Sequence, residues 1–279
     1  MRKYDRNLFQ RSAVFSRTFF KLRFCMGIQY RAAALAGVAT QFAWGFMEII
    51  IYSSFYRTGA DAFPMTMQAT ASYIWLQQSF LVLFMTWLVE SEIMDAIQNG
   101  GVAYELCRPI DLYQMWFSRT VANRLSAALL RCLPILVVAF FIPAPYGLVL
   151  PPDVGTFLLF LLTICLGFLV TVSLCMLVYV LTFFTLSPKG LQIFSVTLID
   201  FLSGGVIPIP FFPDGIRRLM ELLPFGSMQN VPFRVYSGDI AGGECLEAVL
   251  IQIFWFVVIT VLGKVLCGIA IRQVRVQGG

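Results

Sequence analysis

The sequence has 279 residues, of which 59% are hydrophobic and only 13% are charged, with a formal net charge of +5. A soluble domain usually carries about 45–50% apolar and about 25% charged residues, so this composition excludes a water-soluble globule and predicts a protein of the lipid bilayer. The chain contains no histidine, which excludes Ser–His and Cys–His catalytic pairs and His-ligated zinc or haem.

The cysteines and the nucleotide-binding motifs limit the function further. None of the seven cysteines has a C-x-x-C spacing, and four lie in apolar runs, where cysteine behaves as a small hydrophobe. We therefore expect neither a disulfide framework nor a metal site. The chain has no G-x-x-x-x-G-K-[ST] motif, so we expect no cofactor on this chain and no enzymatic activity. If ATP drives the protein, a partner subunit must bind the ATP and Mg²⁺.

The N-terminal segment is basic. Residues 1–31 carry eight Lys and Arg against a single Asp. Apolar residues recur at helical spacing over 12–30, which predicts an amphipathic helix in the headgroup region with its basic face toward anionic lipid. A cleaved signal peptide is the alternative, but a full-length apolar run follows the small residues 32–36.

Six apolar runs are long enough to cross about 30 Å of hydrocarbon. The third contains Arg124 and Arg131, and the fifth is short. The sequence therefore predicts an all-α integral membrane protein with one six-helix transmembrane domain over 32–271. The predicted spans are 32–56, 72–89, 120–142, 155–184, 190–207 and 246–271.

The distribution of Lys and Arg predicts the orientation. With the N-terminus inside, the inner segments carry thirteen of these residues and the outer segments carry four. Cytoplasmic segments are enriched in Lys and Arg. We therefore expect both termini inside, including the tail 272–279. The membrane expected for the chain is the bacterial cytoplasmic (inner) membrane. The inner loop 90–119 would then face the cytoplasm, and the segment 208–245 would lie outside.

The inner loop has the pattern of two short helices separated by glycine. Residues 90–99 form an amphipathic pattern, and Gly100 and Gly101 are typical of a helix C-terminus. Pro109 ends the second helix. The apolar face of the first helix comprises Ile93, Met94 and Ile97.

This loop resembles a known family. Residues 101–109, GVAYELCRP, are similar to the G-x-A-x-x-L-x-R-P segment that follows the second span in ABC-2 type ABC-transporter permeases. The basic N-terminus resembles that family's connecting helix, and the proline-rich stretch after the fifth span resembles its re-entrant hairpin. The hairpin resemblance depends on Gly204, Gly205, Pro208, Pro210 and Pro213.

The resemblance implies a function and partners. It implies the membrane-spanning permease subunit of an ATP-driven exporter, working with a second permease subunit, identical or paralogous, and a dimer of ABC ATPase subunits in the lipid bilayer. No nucleic-acid partner is expected. In this interpretation the inner loop couples to the ATPase through Glu92, Ile93, Ile97, Gly101, Glu105, Leu106, Arg108 and Pro109. The alternatives are a secondary transporter, a substrate-binding membrane component of an uptake system, and a membrane-embedded enzyme.

The segment 208–245 is the second candidate site. Five prolines lie between Pro208 and Pro232. Non-helical backbone at membrane depth is tolerated only where protein buries it or where it lines a cavity. A half-inserted hairpin that closes the outer mouth of a pathway meets this condition, and an ordinary outer loop lying on the interface is the alternative.

Three charged residues within the predicted spans complete the candidates. Ionisable groups at bilayer depth are costly and often functional. Glu48 is expected in the outer third of the membrane, and Arg131 and Asp200 near its middle, where we hypothesise that they pair or face one polar cavity. The alternative is that each of them faces water or headgroups.

Overall fold

The computed structural model describes residues 17–29, 31–59, 63–87, 90–108, 110–185 and 187–273, and in these ranges the chain is a bundle of α-helices. Pro109, residues 12–16 of the predicted amphipathic helix and the tail 274–279 lie outside the described residues. Helix α1 covers 17–29. It is followed by α2 (Arg31–Gly59), α3 (Met67–Phe84), α4 (Ser91–Gln98), α5 (Val102–Leu106), α6 (Leu112–Phe141), α7 (Val154–Leu181), α8 (Pro188–Leu202), α9 (Asp214–Leu222), α10 (Asn230–Tyr236) and α11 (Gly243–Gln273).

Side-chain caps determine where several helices begin. The side chains of Thr66, Asp111, Asp153 and Ser187 each accept a hydrogen bond from a backbone N–H in the first turn of α3, α6, α7 and α8. Such caps stabilise a helix by about 1 kcal/mol. The backbone N–H and the hydroxyl of Thr156 both donate to Asp153, and they lower the pKa of this carboxyl because they stabilise its charged form.

The Asp111 cap changes one predicted boundary. The sequence predicted the third span from residue 120, but α6 begins at Leu112 and continues to Phe141. The arginines of this region therefore lie on a helix, and the inner loop is shorter than predicted. The interior Pro134 does not end the helix.

Four helices in the described ranges are long and apolar enough to cross a membrane: Ala34–Gly59, Leu112–Phe141, Val154–Phe184 and Gly243–Arg272. The other two predicted spans correspond to α3 and α8. Helix α3 has 18 residues and is buried along most of its length, with Gln77 and Gln78 in its middle. Helix α8 has 15 residues, about 22 Å, which is short of the hydrocarbon thickness.

Helix α3 lies at the centre of the bundle, in contact with α2, α6, α7 and α10, while α11 packs along α7. The core around α3 includes the fully buried side chains of Tyr73, Trp75 and Trp116. We call the end of the bundle where α3 ends and α6 begins the loop end, because it carries α4 and α5. The opposite end, where α7 and α11 begin, is the hairpin end.

Helix α1 lies against the loop end. A Cβ atom on Gly27 would overlap the Ser126 hydroxyl of α6, so only glycine permits this close crossing. The Arg23 guanidinium lies 3.6 Å from a carboxylate oxygen of Glu92 and stacks over the Phe19 ring. Helix α1 therefore contacts both α6 and the start of α4.

Candidate functional site

The first candidate site is the α4–α5 loop, residues 90–108, and its attachment to the bundle. Helices α4 and α5 are separated by Gly100, whose φ of +73° is the left-handed conformation that glycine adopts most readily. Polar side chains on one face of α6 hold this loop, at spacings of three or four residues: Trp116, Arg119 and Asn123.

Arg119 is the centre of this attachment. Its guanidinium forms ion pairs with Glu90, at 3.3 Å, and with Glu92. The Arg119 side chain is only 5% exposed and that of Glu90 only 17%, whereas that of Glu92 is 66% exposed. Removal of one partner from a buried ion pair leaves the other charge uncompensated, so the contact with Glu90 is the stronger constraint.

Hydrogen bonds extend this attachment along the loop. The Asn123 amide donates to the Glu90 carboxylate at 2.7 Å, and the Glu90 backbone N–H donates to the Tyr179 hydroxyl at 2.9 Å. The Trp116 indole N–H donates to the Glu105 carboxylate of α5 at 2.6 Å. The start of α4 and the middle of α5 are thus fixed to α6 and α7.

The neighbouring Arg124 holds the end of α3. Its guanidinium is buried and donates to the carbonyls of Val82, Leu83 and Met85, at 3.3, 3.1 and 2.7 Å. The last carbonyls of a helix have no partner within the helix, and a cation is favourable there because of the helix dipole. Arg124 therefore joins the C-terminus of α3 to α6 directly beside the α4–α5 loop.

The apolar face of α4 points into the bundle. Ile93 is fully buried, Met94 is 5% exposed with its sulfur 3.4 Å from the Thr182 hydroxyl, and Ile97 packs on the core. The face that the periodicity indicated thus packs within its own chain, and a role of Ile93 in contact with a partner stays a prediction.

The outer face of the loop has a different set of residues. Tyr104 is 83% exposed and Leu106 is 38% exposed, and both belong to α5. Arg108 is also exposed, and Gly101 is partly buried.

The second candidate site is the hairpin, residues 203–242, which follows α8. At Gly204 the chain turns with a φ of +79°, and a Cβ atom on Gly205 would lie 2.5 Å from the Asp200 carboxylate and 2.9 Å from the Asp200 carbonyl oxygen. The predicted turn residues therefore have a steric reason to be glycine. Pro208 and Pro210 are buried, and Pro213 precedes α9.

The tip of the hairpin lies beside the middle of α7. A Cβ atom on Gly167 would overlap the Met228 carbonyl oxygen, so the two backbones touch there. At 1.5 Å per residue, Gly167 is about 20 Å along α7 from its first residue. The Trp255 indole of α11 donates to the Leu222 carbonyl at 2.9 Å. The end of α9 and the following turn are therefore enclosed by α7 and α11.

Three buried glutamines supply hydrogen bonds to this non-helical backbone. Gln77 of α3 donates to the Gly205 carbonyl at 2.8 Å, and Gln252 of α11 donates to Ser227 at 2.9 Å and to Thr163 at 3.0 Å. Gln229 reaches the Ser203 carbonyl at 3.5 Å. Sequence analysis missed these residues, although a glutamine within an apolar run was a signal of a buried polar contact.

Among the described residues, no hydrogen bond or ion pair joins the three half-buried charges Glu48, Arg131 and Asp200. The Arg131 guanidinium lies against Gly37 of α2, and Asp200 lies against Gly205. No ion pair joins these two in the part of the chain that the structure describes, and their pairing, or a shared polar cavity, stays a hypothesis. Glu48 accepts a hydrogen bond from the Gln78 amide at 3.3 Å.

Comparison with known proteins adds one finding. The model of a family described as "ABC-2 family transporter protein" matches residues 42–278, most of the chain and both candidate sites. No curated protein matches the chain.

Proposed function

Because the chain belongs to the ABC-2 family of transporter proteins, we propose that it is the permease subunit of an ATP-driven exporter. The family makes the chain a membrane component of a transporter, and such components are not themselves catalytic. In the proposal, separate ABC ATPase subunits bind ATP and Mg²⁺, and two permease subunits, identical or paralogous, form the pathway.

The attachment of the α4–α5 loop to the bundle is the observation that carries this proposal. Arg119 joins the loop to α6 through Glu90, and Arg124 joins the end of α3 to the same helix. A displacement of the loop therefore moves α3 and α6 together, because both connections are buried and bonded at short distances. This is the property that a permease needs in order to convert movement of an ATPase into movement of its spans.

The ATPase contact is proposed at the two exposed apolar side chains of α5, Tyr104 and Leu106. These side chains are exposed, whereas Ile93 and Met94 are buried within the chain. An amphipathic helix that inserts its exposed side chains into a groove is a common form of protein recognition. The buried face of α4 then holds the loop rigid, and the exposed side chains of α5 receive the force.

The hairpin is proposed to close the pathway at the outer side of a bacterial cytoplasmic membrane. The support is its tip beside Gly167 and the hydrogen bonds from Gln77 and Gln252, which allow non-helical backbone to lie between the spans. On helix α8 the side chains of Ile193 and Phe194 are 60% and 65% exposed. Such a face suits contact with lipid or with the second permease subunit.

Isolation of the intact complex tests the proposal. The chain is extracted from native membranes in a mild detergent through an affinity tag, and the subunits that remain bound are identified by mass spectrometry. We expect an ATPase with a P-loop in amounts equal to the permease. A preparation that contains the chain but no ATPase, while transport continues without ATP, would support the secondary transporter instead.

A further inference from the structure

A cavity of about 530 Å³ opens between α9, α10 and the first turns of α11 at the hairpin end. This is within the range of sites that hold small organic ligands. Its wall is partly apolar, with Leu222, Val231, Ile240, Ala248 and Ile251. Its charged lining residues are Arg217, Arg218, Glu221, Arg234, Glu244 and Glu247.

Half of these charges are already paired within the chain. Arg234 forms ion pairs with Glu221 and Asp239, and Arg217 lies 2.8 Å from Asp214. These contacts fix the positions of α9 and α10 relative to each other. They leave the two carboxylates of α11 and one arginine of α9 to interact with a ligand.

The two carboxylates lie on the same face of α11. Glu244 and Glu247 are three residues apart, which places them about 5–6 Å from each other on the helix surface. Both are exposed to the cavity side, and neither has an ion-pair partner among the described residues. Like charges at this spacing repel each other, so a cation between them relieves the repulsion.

Asn230 provides the independent observation. It lines the cavity and is only 1% exposed, yet neither its amide nitrogen nor its amide oxygen has a hydrogen-bond partner. A buried amide without partners costs about 1–3 kcal/mol. A ligand N–H group that reached its oxygen would remove this cost.

We propose that this cavity binds a primary ammonium group attached to a short apolar chain. The ammonium donates to Glu244, Glu247 and the Asn230 oxygen, and the apolar chain lies on Leu222 and Ile251. This binding requires only the folded chain and does not depend on the proposed ATP-driven function. The same ammonium could come from a free amine or from the ethanolamine headgroup of a lipid.

Arg218 separates the two sources. It lines the cavity, is exposed, and has no ion-pair partner among the described residues. A phosphoethanolamine headgroup carries a phosphate next to its ammonium, and arginine binds phosphate through charge-assisted hydrogen bonds. Arg218→Gln should therefore weaken binding of the lipid and leave binding of a free amine unchanged.

Calorimetric titration of the full chain, purified in dodecyl maltoside, tests the site with hexylamine as the probe. We expect saturable binding that falls on the order of tenfold or more in Glu244→Gln plus Glu247→Gln. Asp153→Asn is the matched control, because it removes a carboxylate at the same end and retains an N-cap residue. Hexanoate, with the opposite charge, should not saturate.

Dihexanoyl phosphatidylethanolamine identifies the source. If the wild-type chain binds this lipid more tightly than hexylamine, and Arg218→Gln abolishes the difference, the site is assigned to a lipid headgroup. If the chain binds the lipid and hexylamine equally tightly, the site is assigned to a free amine. The proposal is overturned if hexylamine does not saturate, or if it binds the double glutamine variant as tightly as the wild type. Unchanged thermal stability of the variants, whose substituted residues are exposed, shows that they are folded.

Discussion

The guanidinium of Arg119 lies 3.3 Å from a carboxylate oxygen of Glu90, and this ion pair fixes the first residue of the α4–α5 loop to the start of α6. Both side chains are largely buried. The same Glu90 accepts a hydrogen bond from Asn123, and its backbone N–H reaches Tyr179 of α7. One acidic residue therefore connects the loop to two long helices.

Substitution of Arg119 should weaken this connection. Arg119→Gln leaves Glu90 buried without its cation, and we expect the free energy of unfolding to fall by up to about 3 kcal/mol. Thermal unfolding in detergent measures the change. Arg57→Gln, which removes an exposed arginine at the other end of the bundle, is the control and should have little effect.

The pairing itself is tested by the double variant. Arg119→Gln plus Glu90→Gln removes both charges, so part of the lost stability should return. If the losses of the two single variants simply add, Arg119 and Glu90 are not energetically coupled.

The hairpin should depend on the Gln77 side chain. Gln77→Met keeps the volume but removes the donor to the Gly205 carbonyl, and a buried acceptor without a partner costs about 1–3 kcal/mol. We expect a lower melting temperature and greater protease sensitivity in 203–242. Gln68→Met, at an exposed position of the same helix, is the control; equal effects at both positions would contradict the assigned role.

The orientation is tested by cysteine labelling in a variant without the natural cysteines. A membrane-impermeant maleimide should label cysteines introduced at Ala60 and Ser237 in intact cells, and those at Gln98 and Gly278 only after permeabilisation. The expectation follows from the excess of Lys and Arg in the predicted inner segments. Labelling at Gln98 from outside would invert the orientation and remove the proposed ATPase contact.

Much of the helical framework was predictable because it follows from local chemistry. Long apolar runs identify α2, α7 and α11, and Gly100 and Gly204 lie where the backbone has a positive φ. The start of α6 was placed too late. The first turns of α6 carry Arg119 and other polar residues, which do not fit the apolar pattern of a membrane span. The helix nevertheless begins at Leu112, because the Asp111 side chain caps it.

The contacts at the sites were less predictable, because they depend on which helices become neighbours. Ile93 and Met94 form an apolar face in either case. The sequence alone does not show whether this face packs on a partner protein or on the turn after α7, which contains Thr182. The donor role of Gln252 needs the position of Ser227, which only the packed hairpin provides. The sequence placed Arg131 and Asp200 at similar depths in the membrane. It could not show their neighbours: Arg131 lies against Gly37 and Asp200 against Gly205.

The exposed side chains of α5 are expected to hold the ATPase. Tyr104→Ala plus Leu106→Ala removes exposed side chains, so ATPase recovery in the purified complex should fall while thermal stability remains unchanged. Ile216→Ala plus Leu219→Ala, which truncates exposed apolar residues at the hairpin end, is the control and should not alter recovery. Ile93→Asp should instead destabilise the chain, since it buries a charge.

Cross-linking from Cys107 tests the proposed ATPase contact most directly. This natural cysteine is exposed and follows α5 immediately. A thiol-reactive photocrosslinker, applied to permeabilised native membranes, should join Cys107 to an ATP-binding subunit, and the product should disappear in Cys107→Ser. If the product is unchanged in Cys107→Ser, or if Cys107 reacts but forms no product with an ATPase, the α4–α5 loop is not the ATPase contact and the account is wrong.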